Sequence, residues 1–457
     1  MSTETRSRLS DAPSEQISSY VFVFAAIILL GVAAYFGPVE GRVHPATVAA
    51  ILAVVAISLA IVRGAWGELP PISVGFAIVA VFLTIGLSEP FLPPGAPASR
   101  QGLLPISPAA QATSCFAAVW LILRKRPRWA VMAVALGLAI MGATLLVAAP
   151  QPNIDVLLAH DQAAAVLFSG GNPYSDRVVI PNTSPYSPGQ TIVGYPYTPP
   201  ALFAYASSAH FFGDSRWFSV TALPLTVVLL GAVARGTSAR TAALAVTLMS
   251  SLPGIPLLLY FGWTEPLCIL LLVGTFVLWH QAPTSSAVFA GLALASKQYL
   301  VLLAPLLIVL ALRTDRRRAV VLFGVFSASI GIPVLFGVSS YIRSVLGNTS
   351  QIAVRPDGSS LQALAFNSGG PGRWPFWLTL GLPLALSFMG ALLGKSVHAT
   401  TLWSCLVLIA FFLLAAAAFM NYWMLTAAVI ISVLAIREAP PLTAKSDMFR
   451  SGALKRW

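Results

Sequence analysis

The chain has 457 residues, 57% of them hydrophobic and only 9% charged, and its mean hydropathy is +0.82. Soluble domains carry about 25% charged residues, so an ordinary soluble globule is excluded. The net charge of +12 comes from basic residues gathered between apolar runs and in the C-terminal tail, the distribution of a membrane protein's cytoplasmic loops rather than of a nucleic-acid binder.

Apolar runs recur from Ser19 to Ile436, each long enough to cross a bilayer. They are continuous rather than alternating, which excludes a transmembrane barrel. The expectation is an all-α polytopic membrane protein with about 12–14 transmembrane helices. Residues 1–18 read as a polar cytoplasmic tail without a signal-peptide cleavage pattern. The N-terminal transmembrane region, 19–149, holds spans near 19–38, 45–63, 71–88 and 107–123. The basic cluster "RKRPR" (124–128) follows, then a fifth span near 129–149. Basic clusters face the cytoplasm, so 150–197 becomes an extracytoplasmic loop.

The transmembrane core, 198–338, admits two counts. If the short segment 199–212 is re-entrant or interfacial, Arg235 and Arg240 stay cytoplasmic, and the apolar segment 284–312 is broken at Lys297. If it spans, 284–312 is one long helix. The first is favoured because it keeps both arginines inside. "RTDRRR" (313–318) is cytoplasmic in either case. A span near 319–338 leads to a second outer loop, 339–373. C-terminal spans occupy 374–436, near 374–393, 398–417 and 419–436, and the basic tail 437–457 returns to the cytoplasm. Cys115, Cys268 and Cys405 lie inside apolar runs without metal-ligand spacing, so neither a disulfide frame nor a metal site is expected.

The loop 150–197 is far longer than an ordinary helix connection. Its first part, 154–169, reads as a helix lying in the interface, with Asp155, Gln162 and Ser169 on one face. Gly170-Gly171 stops it. Of the 15 carboxylates, only Asp155, Asp161, Asp176, Glu265 and Asp357 are placed for chemistry on or near the outer side. Asp155 and Asp161 point about 120° apart on a helix and do not address one atom. Each also has a plain reading, Asp155 as a helix-start carboxylate and Asp161 as part of a solvated face. His160 reads as an interfacial side chain. Lys297 stands between apolar stretches with no carboxylate nearby in sequence. A cation at membrane depth is a site candidate, here for a phosphate, against simple snorkelling. Arg343, Arg355 and Arg373 in the second loop are further phosphate partners. Asn421, at a span start, serves packing or a ligand equally well.

These pieces occur in a telling order: an acid opening an outer-loop helix, then "GNPY", "GYPYTPP", "GWTEP", "SKQY" and "FMNYW". Over roughly 150–437 the chain resembles GT-C polytopic glycosyltransferases that use polyprenyl-phosphate sugars. The likeness is to the bacterial mannosyltransferase-like family that includes phosphatidylinositol-mannoside enzymes. The resemblance implies Asp155 as catalytic base, with Asp161 as the alternative. It implies Asn172, Tyr174, Tyr195, Tyr197, Glu265, Lys297, Tyr299, Arg355, Arg373 and Asn421 as substrate-binding candidates. It also implies a multi-pass protein of the bacterial inner membrane with an extracytoplasmic active site and no cofactor. The partners would be a polyprenyl-phosphate sugar donor, a lipid or glycan acceptor and membrane lipids. Mannose is the family-level expectation for the sugar; arabinofuranose stays open.

The residues support the same chemistry. A lipid-borne donor brings its own phosphate leaving group, so one base and one or more cations suffice. With one clear carboxylate, inverting displacement is simpler than a covalent intermediate, for which retaining glycosidases use two. The competing class is a transporter or flippase of lipid-linked sugars, which would show broken helices in matched halves and paired charges within the membrane.

Overall fold

The computed structural model describes residues 19–33, 45–63, 72–88, 98–149, 151–181, 191–233, 238–347, 354–356, 358–371 and 373–436. Five helices come first: α1 (Ser19–Ala33), α2 (Pro45–Arg63), α3 (Ile72–Ser88), α4 (Ile106–Leu123) and α5 (Pro127–Ala148). They follow the spans expected from the sequence. Next come α6 (Asp155–Phe168) and a hairpin of β1 (Val179–Pro181) and β2 (Thr191–Val193). After it run α7 (Pro199–Phe212), α8 (Trp217–Val233), α9 (Ser238–Ser251), α10 (Ile255–Phe261), α11 (Glu265–Val277) and α12 (Pro283–Ser296). A 3₁₀ turn, Gln298–Leu303, leads into α13 (Ala304–Thr314) and α14 (Arg316–Gly331). The last helices are α15 (Val338–Ile342), α16 (Leu361–Asn367), α17 (Phe376–Leu393), α18 (Val397–Leu414) and α19 (Met420–Ser432).

Prolines punctuate this order. Pro127, Pro199, Pro256, Pro266, Pro283 and Pro305 stand at the first or second position of a helix, where an N–H would have no intrahelical partner anyway. Helices apolar on every side belong at the centre. Every residue of α11 is buried, as is nearly all of α19, and α11 packs against α8, α12 and α19. α17 lies at the margin, with Phe376, Trp377 and Leu392 at least 70% exposed.

The architecture is nearly all-α, and two details of the expectation change. The antiparallel pair Val179–Pro181 with Thr191–Val193 is a small sheet inside the first loop, where alternating residues such as Ile180 turn into a local core. The expected 12–14 spans are not reached among the described residues. Arg100–Leu123, Pro127–Ala148, Phe376–Leu393 and Val397–Leu414 are long and apolar enough to cross a membrane, and counting two bent pairs as one span each gives six. Part of the difference falls in residues outside those described, which flank α1, α2 and α3; elsewhere, apolar runs that look continuous are cut by turns. α7 bends by 118° against α8, and α9 by 59° against α10. Segment 199–212 therefore turns back on its successor and 284–312 is broken at Lys297, as the favoured of the two counts expects.

Candidate functional site

α6 begins where the sequence places it. Ile154 is extended, and the Asp155 carboxylate accepts a 2.9 Å hydrogen bond from the Val156 N–H, an acid at a helix N-terminus. Gly170, at φ +77°, follows its last turn. Rather than lying alone at an interface, α6 is wedged between other elements. Ala159, Ala163 and Ala164 form a local core with Tyr174, Val178, Ile180, Tyr195 and Leu202. Leu157 rests on the turn at Gly262, whose φ of +60° suits glycine; a Cβ there would lie 2.3 Å from Leu157 Cδ2. Gln162 Oε1 accepts from the Val179 N–H at 3.0 Å and ties the helix to the hairpin.

The two acids of α6 face different neighbours. Asp155 has the Arg355 guanidinium and the Tyr197 and Tyr422 hydroxyls within Coulombic reach. Burial raises its pKa above the ordinary carboxylate value, while the Val156 N–H and Arg355 pull the other way. Asp161 instead faces the turn before α8. There Arg216, 1% exposed, forms a forked ion pair with Asp214, with Nη2 2.7 Å from Oδ2. Burial, then repulsion by Asp214, lifts Asp161 to about 6 against the attraction of Arg216.

Lys297 corrects the sequence reading. It ends α12 in extended conformation, φ −152° and ψ 142°, and the chain restarts as a 3₁₀ turn. Its ammonium donates to Glu265 Oε1, so an ion pair stands where an isolated phosphate-binding cation was expected. Glu265, wholly buried, is the first residue of α11, and Tyr299 OH donates to the same oxygen at 3.4 Å. The Lys297 ammonium lies 5.0, 5.4 and 6.0 Å from the ring centres of Tyr422, Tyr299 and Tyr197, within cation–π range. Gln298 Nε2 donates to Pro196 O at 2.7 Å, joining "SKQY" to "GYPYTPP". Glu265 Oε2 has no hydrogen-bond partner among the described residues.

Thus Asp155, Tyr197, Glu265, Lys297, Tyr299 and Arg355 meet in one cluster. Arg355 reaches it because its N–H donates to Ala416 O at 2.9 Å, laying the second loop along the approach to α19; its guanidinium sits 4.8 Å from the Phe419 ring centre. Asn421 is buried at the start of α19, and its Oδ1 has no partner among the described residues. Other candidates hold the loop together instead. Asn172 Nδ2 donates to Phe336 O and Oδ1 accepts from the Tyr174 N–H, closing the "NPY" turn. Tyr174 is buried against Tyr195, Phe336 and Tyr341. Tyr195 OH and His160 Nδ1 are 2.9 Å apart. Arg373 is exposed before α17, and Asp357 lies outside the described residues.

One participant escaped the sequence reading, and another, expected at the interface, is buried. Tyr422 adjoins Asn421 in "FMNYW" and was the residue of that motif to weigh, since consecutive helix residues point about 100° apart. His160 is wholly buried and stacks on Tyr205 at 4.4 Å. Burial, with the Lys297 charge, drives it down to about 3 and keeps it neutral; its sequence signal was only its place on the apolar side of α6.

Fold and site define a nearly all-α, apolar protein, with helices able to cross a membrane and a buried charged cluster at helix breaks. The chain matches no family model, no curated protein and no solved structure.

Proposed function

We propose that the protein is an integral-membrane glycosyltransferase of the GT-C type, moving a sugar, mannose by family likeness, from a polyprenyl-phosphate donor to a lipid or glycan acceptor. The reaction lies on the extracytoplasmic side of a multi-pass chain. The observation that carries the reading is the convergence of Asp155 and Arg355 beside a tyrosine-lined, buried cluster. Asp155 takes the acceptor hydroxyl proton as the acceptor oxygen bonds to the sugar's anomeric carbon, and the bond from that carbon to the phosphate oxygen breaks. Arg355 offsets the charge developing on the departing phosphate. Raised basicity suits Asp155 to this work, and Arg355 favours its ionised form. Lys297, already paired, holds Glu265 and the tyrosines in place.

The test is transfer from polyprenyl-phosphate mannose in membranes carrying the chain. Asp155→Asn should lower the rate by about 10²-fold or more, while Asp161→Asn keeps most of it. Exchange of the two phenotypes would make Asp161 the base, and parental rates in both would end the assignment. One observation favours a second reading: a buried Lys297–Glu265 pair at helix breaks is the kind of paired charge expected of a transporter or flippase. In proteoliposomes that reading predicts translocation of the lipid-linked sugar without transfer to acceptor.

A further inference from the structure

At the far end of α11 from Glu265, three connections meet. Fourteen residues separate Glu265 from Trp279, about 21 Å along a helix. Trp279 lies in the turn after α11 and is 1% exposed. Arg318, in the first turn of α14, donates from Nη1 to Trp279 O at 2.7 Å, and its guanidinium carbon is 5.3 Å from the Trp279 ring centre. Arg313, at the end of α13, donates to Gly394 O at 2.8 Å and to Leu392 O at 3.1 Å, which brings the connection between α17 and α18 alongside. His280 lies within Coulombic reach of both Arg318 and His398.

Charge here is one-sided. Among the described residues, Arg313, Arg316, Arg317, Arg318 and Lys395 stand against one carboxylate, Asp315. That carboxylate is occupied in capping α14, where it accepts from the Arg317 N–H at 2.9 Å. Trp279 Nε1 and Arg318 Nε are both buried and have no acceptor among the described residues. Buried donors without acceptors are costly, of the order of 1–3 kcal/mol each, so two in one basic junction call for an anion. The surroundings also select its carrier. Leu312 on α13 is 53% exposed, Val320 and Phe323 on α14 are 70% and 60%, and Leu392 on α17 is 70%. An anionic head beside apolar tails fits this pattern better than a free ion.

We propose that the junction of Trp279, Arg318 and the 313–318 connection is a binding site for the phosphate of an anionic phospholipid. Arg318 and the Trp279 indole N–H supply the donors, and the exposed faces of α13, α14 and α17 carry the acyl chains. Basic pockets between membrane helices bind such headgroups by the same combination of charge and apolar contact. The site is remote from Asp155 and does not depend on the transfer reaction.

The test is native mass spectrometry of the full-length chain in detergent, titrated with phosphatidylglycerol, phosphatidylcholine or inorganic phosphate. Phosphatidylglycerol should bind at a defined stoichiometry and phosphatidylcholine at least about ten-fold more weakly. Arg318→Gln should weaken phosphatidylglycerol by about ten-fold, and Trp279→Phe, which keeps the ring but removes the N–H, by several-fold. If Arg318→Gln fails to fold, Trp279→Phe alone decides. Phosphatidylglycerol affinity unchanged in Trp279→Phe, or equal for the two lipids, would overturn the site. Displacement of phosphatidylglycerol by millimolar inorganic phosphate would overturn the lipid assignment in favour of a free anion.

Discussion

Breaking the Lys297–Glu265 pair is the sharpest probe of how the cluster is held. The Lys297 side chain is 9% exposed and that of Glu265 0%, so neither can turn to water when its partner is lost. Lys297→Met leaves a buried carboxylate that must remain charged in apolar surroundings or take up a proton. Removing one member of such a pair costs about 3–5 kcal/mol. Glu265→Gln leaves the ammonium with a neutral amide oxygen and the three tyrosine rings, whose cation–π attraction of about 2 kcal/mol at most does not replace the lost counter-charge. Lys297→Met with Glu265→Gln removes both charges at similar volume and should cost about 1 kcal/mol. The assay is thermal unfolding in detergent followed by tryptophan fluorescence. Each single variant should unfold well below the parent, and the double variant should recover most of the difference. A single variant as stable as the parent, or a double variant no better than the worse single, would refute the buried pair.

Gly262→Ala, at φ +60° and 2.3 Å from Leu157 Cδ2, should destabilise by about 1–3 kcal/mol and be read as a lowered Tm; an unchanged Tm would mean that α6 does not rest on this turn. Asp161 titrates near 6 in the folded protein, chiefly through burial, against about 4 unfolded. The native state therefore holds the extra proton between those values, so stability is full below about pH 4 and falls as pH rises through 6. The fall is about 1 kcal/mol once partial exposure is discounted, and Asp161→Asn should flatten it; a slope that persists in that variant assigns the effect elsewhere. Single cysteines at exposed Ser169 and Ser368, in a chain without its native cysteines, should react with an impermeant thiol reagent outside intact cells, and one at Lys125 should not. The reverse pattern would put Asp155 on the cytoplasmic side.

Local rules made α1 to α6 legible, because each begins and ends on chemistry that acts within a few residues: an apolar run, a proline near a helix start, Gly170 after α6. The same rules separated Asp155 from Asp161, since a six-residue step on a helix fixes their divergence wherever the helix packs. What they could not reach was pairing across distance. Lys297 looked isolated because its partner is 32 residues away, and only the packing of α11 against α12 joins the two breaks. Apolarity alone left the run 284–312 undecided between straight and broken; the placement of Arg235 and Arg240 on the cytoplasmic side favoured the break that the extended Lys297 makes. The motifs "GWTEP" and "SKQY" did carry that information: one contains the αL glycine that ends α10 and the acid that starts α11, the other the lysine at the second break. Helices that stop inside an apolar bundle leave backbone groups without intrahelical partners, and a chain accepts this where those groups or their side chains meet something polar. On that argument the two breaks and the approach to α19 form one construction. Gln298 donates to Pro196 O, Lys297 pairs with one oxygen of Glu265, and Asp155 lies within Coulombic reach of Arg355.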